Sequence, residues 1–167
     1  SQISPPLATA SEAMHAHMSR MARLLLTFLA AGLGVPAGVF LDPLDPEAAG
    51  ELPEGGLSSS VLRICHYRAR EGLPPPSAAE RDEVLFDEHT DSSLLTLSLL
   101  CPSAPGLQLR DANARWLRVE EADGVTPLHL EVHSGDFLGF LSRDYYAACS
   151  HRVVRPKHGV DRLSFPF

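Results

Sequence analysis

A chain of 167 residues, 44% hydrophobic and 21% charged, has the length of one globular domain and enough apolar material for a real core. Its formal charge of −7 and pI near 5.5 exclude the basic surface that a polyanion requires, so the expected partner is a small molecule and not a nucleic acid. Three cysteines, Cys65, Cys101 and Cys149, are an odd number without C-x-x-C spacing, which argues against a disulfide framework or structural zinc and for a reducing, cytoplasmic setting.

In chain order, Ser4-Pro5-Pro6 reads as an extended lead-in. Thr9-Ala10-Ser11-Glu12 fits a capping box and predicts a helix over residues 10–31, with Met14, Met18, Met21, Leu25 and Phe28 stepping along one buried face. Gly32, Gly34 and Pro36 end it. His15 and His17, two apart on a helix, diverge by about 200° and are expected to be solvated. Met18 to Arg23 followed by Leu24 to Leu33 imitates a secretory signal, but residues precede it and the apolar run is too short to span a bilayer, so no membrane segment is expected.

Residues 42–60, with Asp42-Pro43, Asp45-Pro46, Pro53 and Gly55-Gly56, read as a loop that connects or covers. Strand signals then begin at Val61 to Tyr67, whose expected partner across the Pro74-Pro75-Pro76 loop is Leu85 to Asp91. Further short runs follow at Leu94–Leu100, Leu107–Leu109, Trp116–Val119, Leu128–His133 and Phe137–Leu141, separated by turn residues. Short strands at this spacing, without helices between them, call for a sandwich or jelly roll with the first helix on its outside.

The chemistry gathers at Glu88-His89-Thr90-Asp91. In an extended segment His89 and Asp91 project to the same side, about 7 Å apart. His151, far downstream, would complete a two-histidine, one-carboxylate facial set of the kind that holds non-haem Fe(II) and leaves the opposite face open. His129, Glu131 and His133 also share one strand face, but they spread over about 13 Å. They read as the wet outer side of a strand whose Leu128, Leu130 and Val132 point inward. Arg162 and Ser164 alternate onto one face of the last strand, where a guanidinium fork beside a hydroxyl suits a carboxylate.

These pieces, in this order, resemble a known family. Leu62 to Tyr67, His89 to Leu97, Gly106 to Leu109, Trp116 to Val119, Gly135 to Leu138, His151 to Val153 and Arg162 to Ser164 are together similar to the iron- and 2-oxoglutarate-dependent oxygenases. Within that family they most resemble the subgroup of isopenicillin N synthase, plant anthocyanidin synthase and gibberellin oxidases. The resemblance implies a mainly β fold with a flanking helix, the cupin-like jelly roll called a double-stranded β-helix. It implies one oxygenase domain over residues 1–167, with a flanking helix in 1–41, a loop over 42–60 and a jelly-roll core over 61–167, lacking the family's usual N-terminal region.

It further implies Fe(II) held by His89, Asp91 and His151, and 2-oxoglutarate as cosubstrate, its distal carboxylate held by Arg162 and Ser164 with a hydroxyl added by Tyr67. With O2 the chain would oxidise, and usually hydroxylate, a small organic substrate, releasing succinate and CO2. An iron oxidase of the isopenicillin N synthase type, which consumes no 2-oxo acid, and a non-catalytic jelly-roll binding module are the alternatives. Cys65 and His66 depart from the asparagine and tyrosine common in plant members, and Cys65 reads as a plain buried thiol.

Overall fold

The computed structural model describes residues 4–44, 58–69, 82–156 and 159–167. Most of the expected 42–60 loop, and all of the Pro74-Pro75-Pro76 loop, lie outside the described residues. The chain groups into two units, residues 1–62 with Phe167 and residues 63–166.

The first unit is built on α1 (Pro5–Leu33) and the short α2 (Gly38–Leu41) packed on it. The expected start at residue 10 is too late. Ser4 is the extended N-cap and Pro5 and Pro6 occupy the first helical positions, where a missing N–H costs nothing and a fixed φ suits the helix. Thr9 is therefore an exposed residue inside the helix and no capping box forms. Gly34, at φ 69°, ends the helix in the left-handed conformation, and Val35 N–H donates to Ala30 O at 3.0 Å.

The buried residues of α1 are Met18, Leu26 and Ala30; Met18 belongs to the expected seam, while Leu26 and Ala30 lie more than 100° round the helix from its centre, by about 100° per residue. Met21 and Phe28 are exposed. Large side chains drew the expected seam, whereas the small Ala30 is fully buried. His15 is not solvated as expected: its Nε2–H donates to Ser60 O at 3.2 Å, and its ring meets Phe167 edge-on at 5.1 Å. His17 is exposed, with Arg20 donating to its Nδ1 at 2.8 Å.

The second unit holds eight described strands, every pairing antiparallel: β1 (Cys65–Tyr67), β2 (Val84–His89), β3 (Leu95–Leu99), β4 (Leu107–Arg110), β5 (Trp116–Arg118), β6 (Leu130–Ser134), β7 (His151–Val154) and β8 (Arg162–Ser164). They form a four-stranded sheet in the order β2-β7-β4-β5 and two pairs, β1-β8 and β3-β6. The expected pairing of the first strand with the iron strand is wrong. β1 lies against β8, with Tyr67 opposite Arg162 and Cys65 opposite Ser164, and β2 lies against β7. Periodicity marks where strands are, but carries no information on which distant strand each one finds.

The run Phe137–Leu141 is not a strand. It is the helix α3 (Asp136–Leu141), whose first amides donate outward, Asp136 N–H to Asp91 O at 2.8 Å and Phe137 N–H to Ser93 O at 3.0 Å. Short apolar runs fit helix and strand equally well until such partners decide. Among the described residues no helix is long and apolar enough to cross a membrane.

Candidate metal centre

β2 and β7 carry the two imidazoles. His89 and His151 are register partners across this antiparallel pair, and their rings stand 4.2 Å apart. The register of β2 shifts between Phe86 and His89, a bulge of the kind that re-aims side chains beside functional sites. The strand ends at His89, so Asp91 comes from the segment just beyond it and not from a straight alternation through residues 88–91.

Each imidazole is anchored through its far nitrogen. His89 Nδ1–H donates to Asp87 O at 2.7 Å and His151 Nδ1–H donates to Cys149 O at 3.2 Å, because a carbonyl can only accept. That fixes the tautomer and leaves the Nε2 lone pair of both rings as a ligand. His89 Nε2 is 3.7 Å from Asp91 Oδ1, and His151 Nε2 is 3.8 Å from Asp91 Oδ2. One donor atom from each of the three lies within 4.8 Å of the others. Two neutral imidazoles and one carboxylate suit a borderline divalent ion such as Fe(II), so the donor set fits. Burial is the main cause that holds the His151 imidazole below its ordinary pKa, against the hydrogen bond to Cys149 O and with a smaller contribution from His133.

Asp91 is held from behind. Its Oδ2 accepts from Thr96 Oγ1 at 2.6 Å and from His133 Nε2 at 3.1 Å. The hydrogen bond from His133 is the main cause that keeps the carboxyl well below the usual carboxylate range, against the cost of burial and with help from Thr96. For His133, burial pulls downward, but the hydrogen bonds and charges of Asp91 and Glu131 prevail and raise its pKa to about 9. The backbone at Asp91 is pinned too. A Cβ on Gly135 would stand 2.4 Å from Ser93 O and 2.6 Å from Asp91 O, so only glycine lets the β6–α3 turn close against this segment.

The expectation for β6 is overturned. Glu131 and His133 are buried, at 8% and 7% exposure, while Val132 is 40% and Leu128 91% exposed. His129, just before the strand, is exposed as expected, but within β6 the wrong face was put outward, and His133, read as wet surface, stands with its ring 4.4 Å from that of His151. The missed signal was the register with β3, where Thr96 and Ser98, both polar and buried, lie opposite His133 and Glu131.

A second cluster surrounds Arg162, the largest of the fully buried side chains at 1% exposure. Its Nη1 donates to both oxygens of Glu120 at 2.8 Å and to Ala104 O at 2.9 Å. Glu120, which the sequence did not single out, sits in a turn of 3-10 helix after β5 and accepts from the amides of Cys101, Gly106 and Leu107. Arg162 Nε is buried without a hydrogen-bond partner. A buried guanidinium N–H left unpaired among the described residues is costly, and a carboxylate oxygen is one group that could satisfy it. Ser164 is buried beside it on β8. Burial, followed by Cys65, pushes the Tyr67 phenol up, while the charge of Arg162 and a hydrogen bond with Ser164 oppose that rise. Arg162, Ser164 and Tyr67 thus meet at one place, joined through Gly106 to β4, whose Leu109 pairs with His151.

Antiparallel strand pairs that bring two histidines and a carboxylate together are the arrangement of a β-sheet metal site. A family model described as the 2OG-Fe(II) oxygenase superfamily matches residues 58–167, and the chain belongs to that family. It is 28% identical over 153 residues to isopenicillin N synthase of Streptomyces griseus, an alignment covering 88% of this chain and 40% of that protein. A structure described as a putative 2OG-Fe(II) oxygenase family protein from Caulobacter crescentus superposes with a TM-score of 0.70 at 25% identity, covering 97% of this chain and 46% of that one. A putative oxygenase from Shewanella oneidensis gives a TM-score of 0.65 at 22% identity, over 99% of this chain and 57% of its own, and speaks for the fold alone. The chain therefore spans about two fifths of the curated relative's length. The family's cofactors are Fe(II), 2-oxoglutarate and O2.

Proposed function

We propose that the chain is an Fe(II)- and 2-oxoglutarate-dependent dioxygenase that hydroxylates a small organic substrate, with succinate and CO2 as co-products. The observation that carries this reading is the convergence of His89, Asp91 and His151, with both Nδ1–H groups tied to backbone carbonyls. In this reading those three side chains hold the ion, and Arg162, Ser164 and Tyr67 hold the distal carboxylate of the keto acid. When bound, the ion and 2-oxoglutarate supply the activation of O2 and the oxidising equivalents.

The chain's own residues bind, orient and exclude water. Asp87 O and Cys149 O set the two rings, and Thr96 and His133 fix the carboxylate. Arg162 offers its Nε–H from a dry position, where a charge-assisted bond is stronger than in water and the bound acid takes one orientation. A cytoplasmic setting suits the three free cysteines.

A second reading, an iron oxidase that uses no 2-oxo acid, draws support from Glu120, which already occupies Arg162 Nη1, and from the isopenicillin N synthase relative. Aerobic incubation with Fe(II), labelled 2-oxoglutarate and a library of small molecules separates the two. Succinate released in step with substrate oxidation supports the first, oxidation without succinate supports the second, and neither product in any mixture refutes both.

A further inference from the structure

Resting on the metal-site reading above, we infer that Glu131 and His133 are positioning residues for the metal-binding carboxylate: a buried carboxylate–imidazole pair that locks one oxygen of Asp91 and leaves the other for the ion. β6 is turned inside out to provide them. Its acid and its imidazole face inward and Val132 faces out, the reverse of what burial of apolar surface favours. A strand accepts that arrangement only if every inward polar group is satisfied, and here they form one line. Both oxygens of Glu131 accept from His133 Nδ1–H, at 2.9 and 3.0 Å. His133 Nε2–H donates to Asp91 Oδ2 at 3.1 Å, and Thr96 Oγ1 donates to the same oxygen.

The ring thus donates through both nitrogens between two carboxylates. Asp91 Oδ2 takes two hydrogen bonds from behind although it lies 3.8 Å from His151 Nε2, while Oδ1, turned to His89 Nε2 at 3.7 Å, takes neither of them. The register pins the device, because Thr96 is the cross-strand partner of His133, and the two residues that grip Asp91 cannot move independently. The His133 ring also lies 4.4 Å from that of His151, tilted at 48°, so the same side chain adjoins a second donor.

The test is Co(II) binding to the full chain, followed by titration calorimetry and the visible d–d bands, which report how many carboxylate oxygens coordinate. Relative to the unsubstituted chain, His133→Phe weakens Co(II) binding by about 10–100-fold and changes the bands as Asp91 swings toward two-oxygen coordination. His133→Gln, whose amide N–H reaches the place of Nε2, restores most of the affinity and the original bands. His133→Phe with affinity within twofold and bands unchanged overturns the inference. Should the Phe variant fail to fold, Glu131→Gln decides in its place: a several-fold loss supports the pairing and an unchanged affinity overturns it. The metal reading is checked separately, since His89→Ala loses Co(II) outright if that reading holds; no Co(II) binding by the unsubstituted chain sinks both.

Discussion

Replacing Glu120 by leucine tests whether the chain has buried an arginine that depends on a single counter-charge. Glu120 is 3% exposed and Arg162 1%, and the acid also accepts three backbone amides. Glu120→Leu leaves a guanidinium in a dry interior without its partner, which costs about 3–5 kcal/mol. The orphaned amides add to this, but overlap with it because the local backbone relaxes once for both. Taking about 4 kcal/mol as the sum, urea unfolding followed by far-ultraviolet circular dichroism shows that loss directly, and Tm falls by roughly 8–16 °C. The companion variant is Glu120→Leu with Arg162→Met. Removing both charges recovers most of the stability, because the penalty lies in the unpaired ion and not in the missing bond. A single variant within about 1 kcal/mol of the parent, or a double variant no better than the single, refutes the argument.

Further outcomes follow from the same geometry. His89→Ala lowers Fe(II) affinity by at least about 100-fold in anaerobic titration, and equal affinity removes the metal assignment. Arg162→Ala abolishes the protection that 2-oxoglutarate gives against thermal unfolding; undiminished protection means that the anion binds elsewhere. In metal-free buffer with chelator, stability declines as pH rises from about 6.5 to about 9. The folded pKa of His133 is raised to about 9, so its contribution is complete below the unfolded value and disappears through the folded one. The difference is worth about 3 kcal/mol, read by urea midpoints across that range, and an unchanged slope in His133→Gln contradicts the attribution. Asp91 acts in the opposite sense: its depressed carboxyl stabilises above about pH 4 and loses that effect as acid is added. Gly135→Ala drives a Cβ to 2.4 Å from Ser93 O, costs about 1–3 kcal/mol in chemical denaturation and weakens metal binding with it.

What could be read in the amino acids, and what could not, divides along physical lines. Strand positions followed from alternation and turn residues, and seven of the short runs appear as strands within a residue or a few of where the pattern put them. His89, Asp91 and His151 were named because their residue types suit one ion and the surrounding motifs resemble a known family, and the two rings lie 4.2 Å apart. Pairing partners were not legible. β1 finds β8 across most of the second unit, and nothing local in Cys65-His66-Tyr67 says so. The sidedness of β6 was lost for a related reason: an alternating strand presents two equally consistent faces, and only Thr96 and Ser98 across the sheet choose between them. Glu120 escaped because a counter-ion forty-two residues from its arginine leaves no spacing to detect. The helix start was misread because a pair of prolines can open a helix as well as forbid its interior.

The two imidazoles come from opposed residues on adjacent strands, so one antiparallel pairing sets their separation whatever lies between them in sequence. About sixty residues of turns, strands and a short helix intervene, and several of those turns are exposed. Lengthening or replacing such a turn alters what can approach the ion without disturbing the ion's own seat. A graft of new segments between β4 and β5, which leaves Glu120 in place, is thus expected to keep the separation of the two rings.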